Sequence, residues 1–487
     1  MIAGGGTAGW AVAAMLAKTV GPLVSITLVE SDEIGTVGVG ESTIPTARRF
    51  HEILGIDERE FVAATGASFK LGISFENWLT EGANYFHSFG TMGRSTWMAD
   101  FQHMWLEGRA LDVAGDLGDY SLETQAALAM KFQAGGDAGL NYAYHLDATA
   151  YGQYLRRFAE PLGVKRVEGK IAQVRLDPES GFITALELAS GEQVAGELFI
   201  DCTGFRALLI EGALEAGYED WSHWLGTDRA IAVQTKATGP ARPYTRAMAH
   251  HAGWQWQIPL QTRVGNGLVY ASSHMSDDEA HGLLTSRLEG EMLTEPRVIR
   301  YVSGSRRKTW AKNCVAIGLS SGFVEPLEST SIHLIMIAVT RLAQLFPFGG
   351  VTPALADRFN DLSRRELDGV RDFIVLHYYL NQRTGEPFWD QCRKMPIPDS
   401  LAARIALFVE SATAFQANDE LFRVDSWVQV MLGQGLHPRA HHGLGRMIGE
   451  ERLGGSLAAL KQGIQQQVGK LPSHQQFLDR YMGAVPA

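Results

Sequence analysis

The pattern of apolar and polar positions at the start of the chain predicts a strand, a turn, a helix and a second strand. Apolar residues 1–3 lead into a glycine-rich stretch at residues 4–9. Residues 10–18 are rich in alanine and predict a helix, and the apolar run at residues 23–30 predicts a buried strand that ends in an acid. This succession of elements is typical of a dinucleotide-binding βαβ unit.

Later segments predict a mixed α/β fold. Residues 165–205 form a run of short strands, and residues 314–318 form another apolar strand. The apolar stretch at 331–346 predicts a buried helix, and the patterns at 352–380, 400–415 and 456–468 predict amphipathic helices. Residues 70–139 carry no regular repeat and predict loops and short helices. We therefore expect a cofactor-binding module at 1–350 with interleaved substrate-side segments, and a mainly helical cap at 351–487.

The glycine-rich stretch fits the G-x-G-x-x-G pattern, in which glycines allow a tight turn and let a pyrophosphate approach backbone N–H groups at a helix start. Its predicted contacts are Gly4, Gly6, Thr7, Ala8 and Gly9. Glu30, about 20 residues further on, is placed to accept hydrogen bonds from a ribose. Only three residues precede the pattern, so we expect the first strand to be short or clipped. These residues contain no charged leader with an apolar run, so we expect no secretory signal.

Composition narrows the classes of partner. The 487 residues are 45% hydrophobic and 20% charged, with a net charge of −11, which is typical of a soluble globular protein. This acidic balance argues against nucleic acid and favours a small molecule. Three well-separated cysteines predict neither a disulfide framework nor a zinc site and fit a reducing cytoplasm. The stretch at 331–346 is too short to span a membrane. His437, His441 and His442 are better explained as surface histidines than as metal ligands.

Two further segments favour FAD over NAD. The strand at 198–200 runs into Asp201-Cys202-Thr203-Gly204, and the strand at 314–317 runs into Gly318. Both resemble the flavin-contacting segments of FAD-dependent aromatic hydroxylases. Cofactor segments spread so widely along a chain suit the long FAD molecule, whereas NAD is usually held by one compact unit. No second dinucleotide fingerprint is present, so we do not expect the chain to hold NAD(P)H tightly, and the reducing equivalents must arrive some other way.

A set of motifs covers nearly the whole chain. They are GGGTAGW at 4–10, GVGEST at 38–43, SFKLGI at 68–73, NYFHSFG at 84–90, AYHLDA at 143–148, DCTGF at 201–205, GWQWQIP at 253–259, SGFVEPLESTSI at 321–332 and PFW at 387–389. Together they resemble the flavin-dependent tryptophan halogenases. The resemblance implies a doubly wound, FAD-binding α/β fold like that of the aromatic hydroxylases, with an interleaved β-sheet region and a helical C-terminal cap.

The resemblance also implies a reaction. Reduced FAD from a separate flavin reductase, oxygen and chloride or bromide yield hypohalous acid, which passes through an internal channel to a lysine beside the arene. Lys70 matches that lysine, although a solvated lysine on a helix face is the usual fate of this residue type. Glu328 matches the carboxylate that stabilises the cationic ring and takes its proton. For Glu328, a capping or first-turn acid at the helix that follows is an equally good explanation when the motif is left aside. Glu325 is its near rival.

Further roles follow from the same resemblance. Thr330 and Ser331 match the halide site, and Trp254 and Trp256 match residues that shield the flavin. His87, Phe89 and Trp389 match positions that sandwich an indole, and packing in a core is their plainer explanation. The implied flavin contacts include Gly40, Ser42, Asp201 and Gly318, in addition to Glu30 and the residues of the glycine-rich loop.

Two other functions compete with halogenation. A single-component aromatic hydroxylase shares the fold, but Trp254 and Trp256 argue against access of substrate to the flavin. A non-catalytic flavin-binding protein is disfavoured by the presence of Lys70 and Glu328. The arene stays open between free indole, an indole derivative and tryptophan, with free indole-type compounds slightly favoured. The carbon attacked, the preferred halide, carrier attachment and formation of a homodimer stay open too.

Overall fold

Strands and helices alternate along the chain, as the apolar pattern predicts. A computed structural model describes residues 1–35, 40–135 and 139–483. The strands are β1 (Ile2–Ala3), β2 (Thr27–Glu30), β3 (Gly40–Ser42), β4 (Ser68–Lys70), β5 (Gly72–Glu76), β6 (Asn84–Ser88), β7 (Ala143–Asp147), β8 (Lys165–Glu168), β9 (Ile171–Leu176), β10 (Ile183–Leu188), β11 (Gln193–Ala195), β12 (Phe199–Asp201), β13 (Tyr218–Asp220), β14 (Arg229–Lys236), β15 (Thr245–His250), β16 (Gly253–Pro259), β17 (Arg263–Tyr270), β18 (Arg297–Arg300), β19 (Gly304–Arg306), β20 (Trp310–Ala311), β21 (Cys314–Ala316) and β22 (Gly322–Phe323).

The helices carry the rest of the regular structure. They are α1 (Gly6–Thr19), α2 (Thr46–Leu54), α3 (Glu58–Thr65), α4 (Phe101–Ala110), α5 (Leu122–Leu128), α6 (Ala148–Ala159), α7 (Asp277–Thr285), α8 (Ser331–Gln344), α9 (Pro353–Tyr379), α10 (Pro387–Lys394), α11 (Asp399–Ser411), α12 (Val424–Gly433), α13 (Leu444–Ile448), α14 (Glu450–Lys470) and α15 (His474–Gly483).

Two compact units are each assembled from three chain segments. Unit 1 comprises Met1–Ala67, Leu146–Arg229 and Ile299–Asp368, and unit 2 comprises Ser68–His145, Ala230–Val298 and Gly369–Ala487. The mixed α/β class with several sheets and a helical C-terminal region agrees with the class predicted from the sequence. The division at residue 350 into a flavin module and a cap is a separate prediction, which these units do not test.

Unit 1 is built on a six-stranded sheet in the order β20-β21-β12-β1-β2-β8. β1 pairs in parallel with both β2 and β12, and β12 pairs in parallel with β21. The apolar side chains of these strands lie in a core that includes Val29, Phe199 and Cys314. Helix α1 packs against α6 and α8. At its start α1 comes close to α6, since a Cβ on Gly152 would lie 3.3 Å from the carbonyl carbon of Gly6.

Unit 2 is built on a seven-stranded sheet in the order β18-β14-β17-β16-β15-β5-β6. β15 pairs in parallel with β5, while β16 runs antiparallel to β15 and β17. All seven residues of β16 are buried. A second core lies between helices, where Phe101 and Tyr120 pack with Leu453 and Leu457 of α14. The helices from α10 onward all belong to this unit.

Most predicted elements form, with corrected bounds. The predicted strand at 23–30 begins only at Thr27, because Gly21–Leu23 form a 3₁₀ turn around Pro22 and Leu23 is exposed. The predicted helix at 400–415 ends at Ser411, where Ala412 adopts a left-handed conformation. Loops and short helices were predicted for residues 70–139, but this region also contributes β5 and β6 to the large sheet. Ile73 and Phe75 of β5 are fully buried between neighbouring strands, whereas Tyr85 and Phe86 of β6 are only partly buried, and local pattern alone does not reveal this pairing.

Candidate active site

The glycine-rich loop of unit 1 leaves its backbone open to a ligand. Gly4 and Gly6 have φ of 95° and 69°, which favour glycine. A Cβ on Gly9 would lie 2.0 Å from the carbonyl oxygen of Gly4, and one on Gly5 would lie 1.6 Å from Glu30 Oε2. Thr7 donates to the carbonyl of Ala148 at 3.1 Å and so ties the loop to α6. The loop therefore fits a pyrophosphate that approaches the amides at the start of α1.

The three predicted cofactor segments meet in unit 1. The loop follows β1, the segment at 201–204 ends β12, and Gly318 follows β21, and these three strands are neighbours in the sheet. The Ser320 hydroxyl donates to the carbonyl of Asp201 at 2.5 Å. Gly318 has φ of 80°, and a Cβ there would lie 3.0 Å from that of Ala8. The carboxyl ends of neighbouring parallel strands are where α/β folds bind dinucleotides.

Asp201 holds this region in shape. Its Oδ1 accepts from the amide and hydroxyl of Thr203, and its Oδ2 accepts from the amides of Leu209 and Ile210 at 2.9 Å. The side chain is fully buried. Four hydrogen bonds from its own chain account for the burial of a carboxylate. A direct contact of this side chain with a cofactor stays a prediction.

Glu30 already has partners within the protein. Its Oε1 accepts from Arg166 Nε at 2.7 Å, and its Oε2 accepts from Trp10 Nε1 at 3.3 Å. These bonds fix the carboxylate at the end of β2, beside the glycine-rich loop. Each carboxylate oxygen has a second lone pair, so the predicted bond to a ribose stays a prediction.

The GVGEST motif is described only from Gly40 onward, since Gly38 and Val39 lie outside the described residues. Gly40 and Ser42 are the buried ends of β3. Between them, burial raises the pKa of Glu41 to about 7, although the amide of Ser42 opposes that rise. A carboxyl group that can hold a proton near neutral pH thus lies between two predicted flavin contacts. The sequence analysis gave Glu41 no role.

The predicted halide segment is a sharp turn that leads into α8. Pro326–Glu328 form a 3₁₀ turn, and Ser329 follows with φ of 60°, a conformation that costs a non-glycine residue energy and often occurs at functional sites. No side chain among the described residues caps α8. Thr330 is fully buried, and its Oγ1 has no hydrogen-bond partner in the described part of the chain. This helix start therefore fits an anion.

The two candidate glutamates differ in their surroundings. Glu325 is fully buried and accepts a short hydrogen bond from the Thr227 hydroxyl, which in turn accepts from the Tyr301 hydroxyl at 3.1 Å. Glu328 is 1% exposed and lies directly before the Ser329 turn. Glu325 therefore anchors the segment to the rest of unit 1, whereas Glu328 stands next to the predicted halide residues.

Lys70 in unit 2 is the last residue of β4 and is fully buried. The alternative of a solvated lysine on a helix face is therefore wrong. Its Nζ lies 5.1 Å from the ring centroid of Phe89, within the range of a cation–π contact. The carbonyl of Phe89 accepts from Asn141 and Arg423, each at 2.8 Å. The lysine thus lies over an aromatic ring whose backbone is held in place.

Two buried histidines flank the strand of Lys70, and the sequence analysis assigned neither of them a role. His474 of α15 accepts from the amide of Phe69 at 3.2 Å through Nε2, while its Nδ1 lies 2.8 Å from the carbonyl of Ala241. Since a carbonyl only accepts, Nδ1 carries the hydrogen. Burial lowers the pKa of His474 to about 4. Burial, and secondarily the charge of Lys70, lowers the pKa of His145 well below its usual value. Both rings are therefore neutral.

Trp254 and Trp256 lie in β16 with their ring centroids 6.0 Å apart. Trp256 pairs with Gly267 of β17, and a Cβ on that glycine would lie 2.0 Å from the indole. The Trp256 indole N–H is buried without a hydrogen-bond partner in the part of the chain that the structure describes. Trp78 lies 6.2 Å from Trp254 and donates to the carbonyl of Ala247. Its contact with Trp254 was not apparent from the sequence.

The three predicted substrate residues have different neighbours. The ring of His87 lies 5.6 Å from Phe373, and Phe89 lies under Lys70 as described above. Trp389 stacks on Tyr378 at 5.6 Å and donates from Nε1 to the carbonyl of His250 at 2.6 Å. These contacts pack Trp389 into the interior of unit 2. A role for the three residues in binding an arene stays a prediction.

The described part of the chain contains neither a metal-binding cluster nor a helix that could span a membrane. Among residues 1–35, 40–135 and 139–483, no group of three or more His, Cys, Asp or Glu side chains is arranged to hold a metal ion. The three cysteines are free and buried. His441 instead pairs with Glu107 at 2.8 Å. None of the described helices is both long and apolar enough to cross a membrane.

Comparison with solved structures places this fold in one class of enzyme. A flavin-dependent halogenase from Xanthomonas campestris superposes with a TM-score of 0.98 over 100% of this chain and 98% of its own, at 50% identity. A flavin-dependent halogenase from Brevundimonas sp. BAL3 superposes with a TM-score of 0.95 over 99% and 98%, at 44% identity. The fold is thus that of a flavin-dependent halogenase.

Sequence comparison gives the family. The profile described as tryptophan halogenase matches residues 1–450. The tryptophan 6-halogenase of Streptomyces toxytricini is 38% identical over 434 residues, which cover 83% of this chain and 82% of that protein. The tryptophan 7-halogenase of Lentzea aerocolonigenes is 36% identical over 84% of this chain and 81% of its own. This chain belongs to the tryptophan halogenase family, which confirms the predicted family and class of enzyme.

Proposed function

We propose that this enzyme forms hypohalous acid from oxygen and chloride or bromide, and that Lys70 directs the halogen onto an indole-type arene. The observation that carries the proposal is the complete burial of Lys70 on a strand between two neutral histidines. Hypohalous acid that reached open solvent would diffuse away and react unselectively, so a lysine that guides the halogen has to be enclosed.

FAD fits unit 1, where Gly4, Gly6, Thr7, Ala8 and Gly9 would hold its pyrophosphate. Further contacts would come from Glu30, Gly40, Ser42, Asp201 and Gly318. In its reduced form the bound flavin supplies the electrons that activate oxygen for oxidation of a halide. A separate reductase would deliver the reduced flavin.

The halide would bind at the start of α8. The amides of Thr330 and Ser331 would donate to it, since no side chain among the described residues caps this helix. The buried Thr330 hydroxyl, which lacks a partner in the described part of the chain, is a further donor. The left-handed Ser329 sets the direction of these groups.

Lys70 would carry the halogen or donate a hydrogen bond to the hypohalous acid. The neutral rings of His145 and His474 would add no positive charge beside Lys70. Glu328 would stabilise the cationic ring and take its proton, which returns aromaticity to the arene. Trp254 and Trp256 would keep the arene away from the flavin and so favour halogenation over hydroxylation. His87, Phe89 and Trp389 are the proposed contacts to the arene.

Relatives named as tryptophan halogenases make tryptophan a natural candidate substrate. We favour a free indole-type compound, because the sequence offers no assured clamp for the amino and carboxyl groups of an amino acid. Membership of the tryptophan halogenase family disfavours the two alternatives, a hydroxylase and a non-catalytic flavin-binding protein.

Mass spectrometry of the reaction products tests the proposal. The purified protein is incubated with FAD, a flavin reductase, NADH, oxygen and either indole or tryptophan, in chloride or in bromide. We expect a halogenated product with the wild type and none with Lys70→Met, which keeps the length of the side chain. An oxygenated product would instead establish a hydroxylase. Flavin binding without turnover of either arene would contradict the proposed substrate class.

A further inference from the structure

A buried polar chain in unit 1 runs from α2 through α8 to α9. His333 Nδ1 lies 2.9 Å from the Thr46 hydroxyl, and His333 Nε2 lies 3.0 Å from Glu366 Oε1. The other oxygen of Glu366 accepts from Arg341 at 2.5 Å. His333, Glu366 and Arg341 are each less than a tenth exposed, whereas Thr46 is exposed. Both ring nitrogens of His333 are thus bonded, to two different helices.

Charge balance alone does not account for His333. A buried carboxylate has to be paired, and Arg341 already pairs with Glu366. Hydrogen bonding and charge from His333, then the charge of Arg341, outweigh burial and lower the pKa of Glu366, so this carboxylate is ionised. An ionised carboxylate only accepts, so His333 donates to it from Nε2. The orientation of the ring is then fixed.

His333 lies in the first turn of α8, next to the amides that we propose bind the halide. It is the third residue of this helix. Helix ends fray when their first amides have no partner, and no described side chain caps α8. The two bonds of His333 hold this first turn from both sides. Thr46, on one side, follows closely after the predicted flavin contact Ser42.

We propose that His333 is a positioning residue for the halide site. Glu366 and Arg341 hold it, and it fixes the first turn of α8 against Thr46, so that the anion-binding amides keep one arrangement relative to the Gly40–Ser42 strand. This inference rests on the proposed halogenase function, since it assigns a role toward the halide.

Three substitutions separate the two bonds. His333→Gln places an amide near the position of Nε2 and keeps the bond to Glu366. His333→Asn places an amide near the position of Nδ1 and keeps the bond to Thr46. His333→Phe keeps neither bond. Bromide binding is measured without turnover, from the rise in melting temperature on adding bromide at constant ionic strength. The Michaelis constant for bromide and kcat are then measured with the flavin reductase.

We expect His333→Phe to weaken bromide binding and raise its Michaelis constant about tenfold, the effect of losing one hydrogen bond to a charged group. Because a positioning residue does not touch the reacting atoms, kcat at saturating bromide should stay within about twofold. His333→Gln should retain binding to within about threefold, because the bond to the charged Glu366 is the stronger of the two. An unchanged bromide affinity in a folded His333→Phe would overturn the proposal, as would equal defects in His333→Phe and His333→Gln.

Two further variants guard against a trivial outcome. If His333→Phe alone fails to fold because Glu366 loses a partner, His333→Phe/Glu366→Gln removes the buried charge as well, and the same loss of bromide affinity is expected. His51→Phe is the matched control, because His51 is a buried histidine of α2 whose Nε2 bonds to Tyr151 at 2.8 Å. It should lower the melting temperature and leave bromide affinity unchanged. A wild type that bromide does not stabilise would overturn the halide site itself, and the role of His333 with it.

Discussion

The proposed functional regions of the two units differ in the kind of chemical group that they present. Unit 1 presents mainly backbone groups, which are glycine-containing loops at three neighbouring strand ends and the start of α8, where no described side chain forms a cap. Unit 2 presents side chains: Lys70 over Phe89, two neutral histidines and a cluster of indoles that contact one another in tilted and edge-on geometry. In unit 1 the buried acids Asp201 and Glu366 are satisfied within the unit and give shape. In the function proposed above, unit 1 binds small charged groups, and the side chains that contact the arene lie in unit 2.

Lys70 is the sharpest test of this division. We expect Lys70→Met to lower halogenation by about 10²–10⁴-fold, the range for loss of a group that takes part in the reaction. The dissociation constant of FAD, measured by fluorescence titration, should not change, because the flavin contacts lie in unit 1. Lys70→Arg, which keeps the positive charge, should be nearly as inactive. An active Lys70→Met would break the comparison.

Glu328 is a side chain of unit 1 to which we assign a part in the reaction on the arene. Glu328→Gln should lower kcat about 10²-fold while the affinities for FAD and bromide are retained, because a neutral amide cannot take the ring proton. Glu325→Gln is the matched control. It should affect mainly thermal stability, since Glu325 is bonded to Thr227. A larger loss of kcat in Glu325→Gln than in Glu328→Gln would exchange the two roles.

Gly9 tests whether backbone shape decides cofactor binding. Gly9→Ala forces a Cβ against the carbonyl of Gly4, and overpacking of this kind costs about 1–3 kcal/mol. We expect the dissociation constant of FAD to rise about tenfold, which corresponds to about 1.4 kcal/mol. Gly349→Ala, where a Cβ meets nothing within 4 Å, should bind FAD like the wild type. Equal affinities in both variants would mean that the loop is not a close-contact cradle.

The neutral histidines of unit 2 predict a response to acid. Burial lowers the pKa of His250 and of His474 to about 4 in the folded protein. The unfolded chain therefore binds protons first as the pH falls below about 6.5, and stability decreases from there toward pH 4. His474→Gln should remove part of this dependence, so that its melting temperature falls a few degrees less between pH 7 and 5. A pH dependence identical to that of the wild type would contradict the neutral state of His474.

The same difference between the units explains what the sequence could reveal. Gly4, Gly6 and Gly9 have a spacing that follows from how backbone binds a dinucleotide, so the strand, loop and helix around them were predictable, while their contacts with a cofactor stay a prediction. The burial of Lys70 was not, because a lysine between two apolar residues fits a helix face as well as a strand. His474 was missed because its partner, the amide of Phe69, is 405 positions away in the sequence. The role of His333 was not predictable either, because its partners Thr46 and Glu366 lie 287 and 33 positions away in the sequence.

The bond between Phe69 and His474 has a consequence for how the protein is made. During synthesis at about 5–20 residues per second, roughly 20–80 seconds separate the appearance of the two residues. The strand that bears Lys70 therefore leaves the ribosome long before its last partner exists. Until His474 has been synthesised, this strand has to be kept from aggregating. A chaperone or a fusion partner that covers the strand for longer should therefore raise the yield of active enzyme more than the yield of soluble protein.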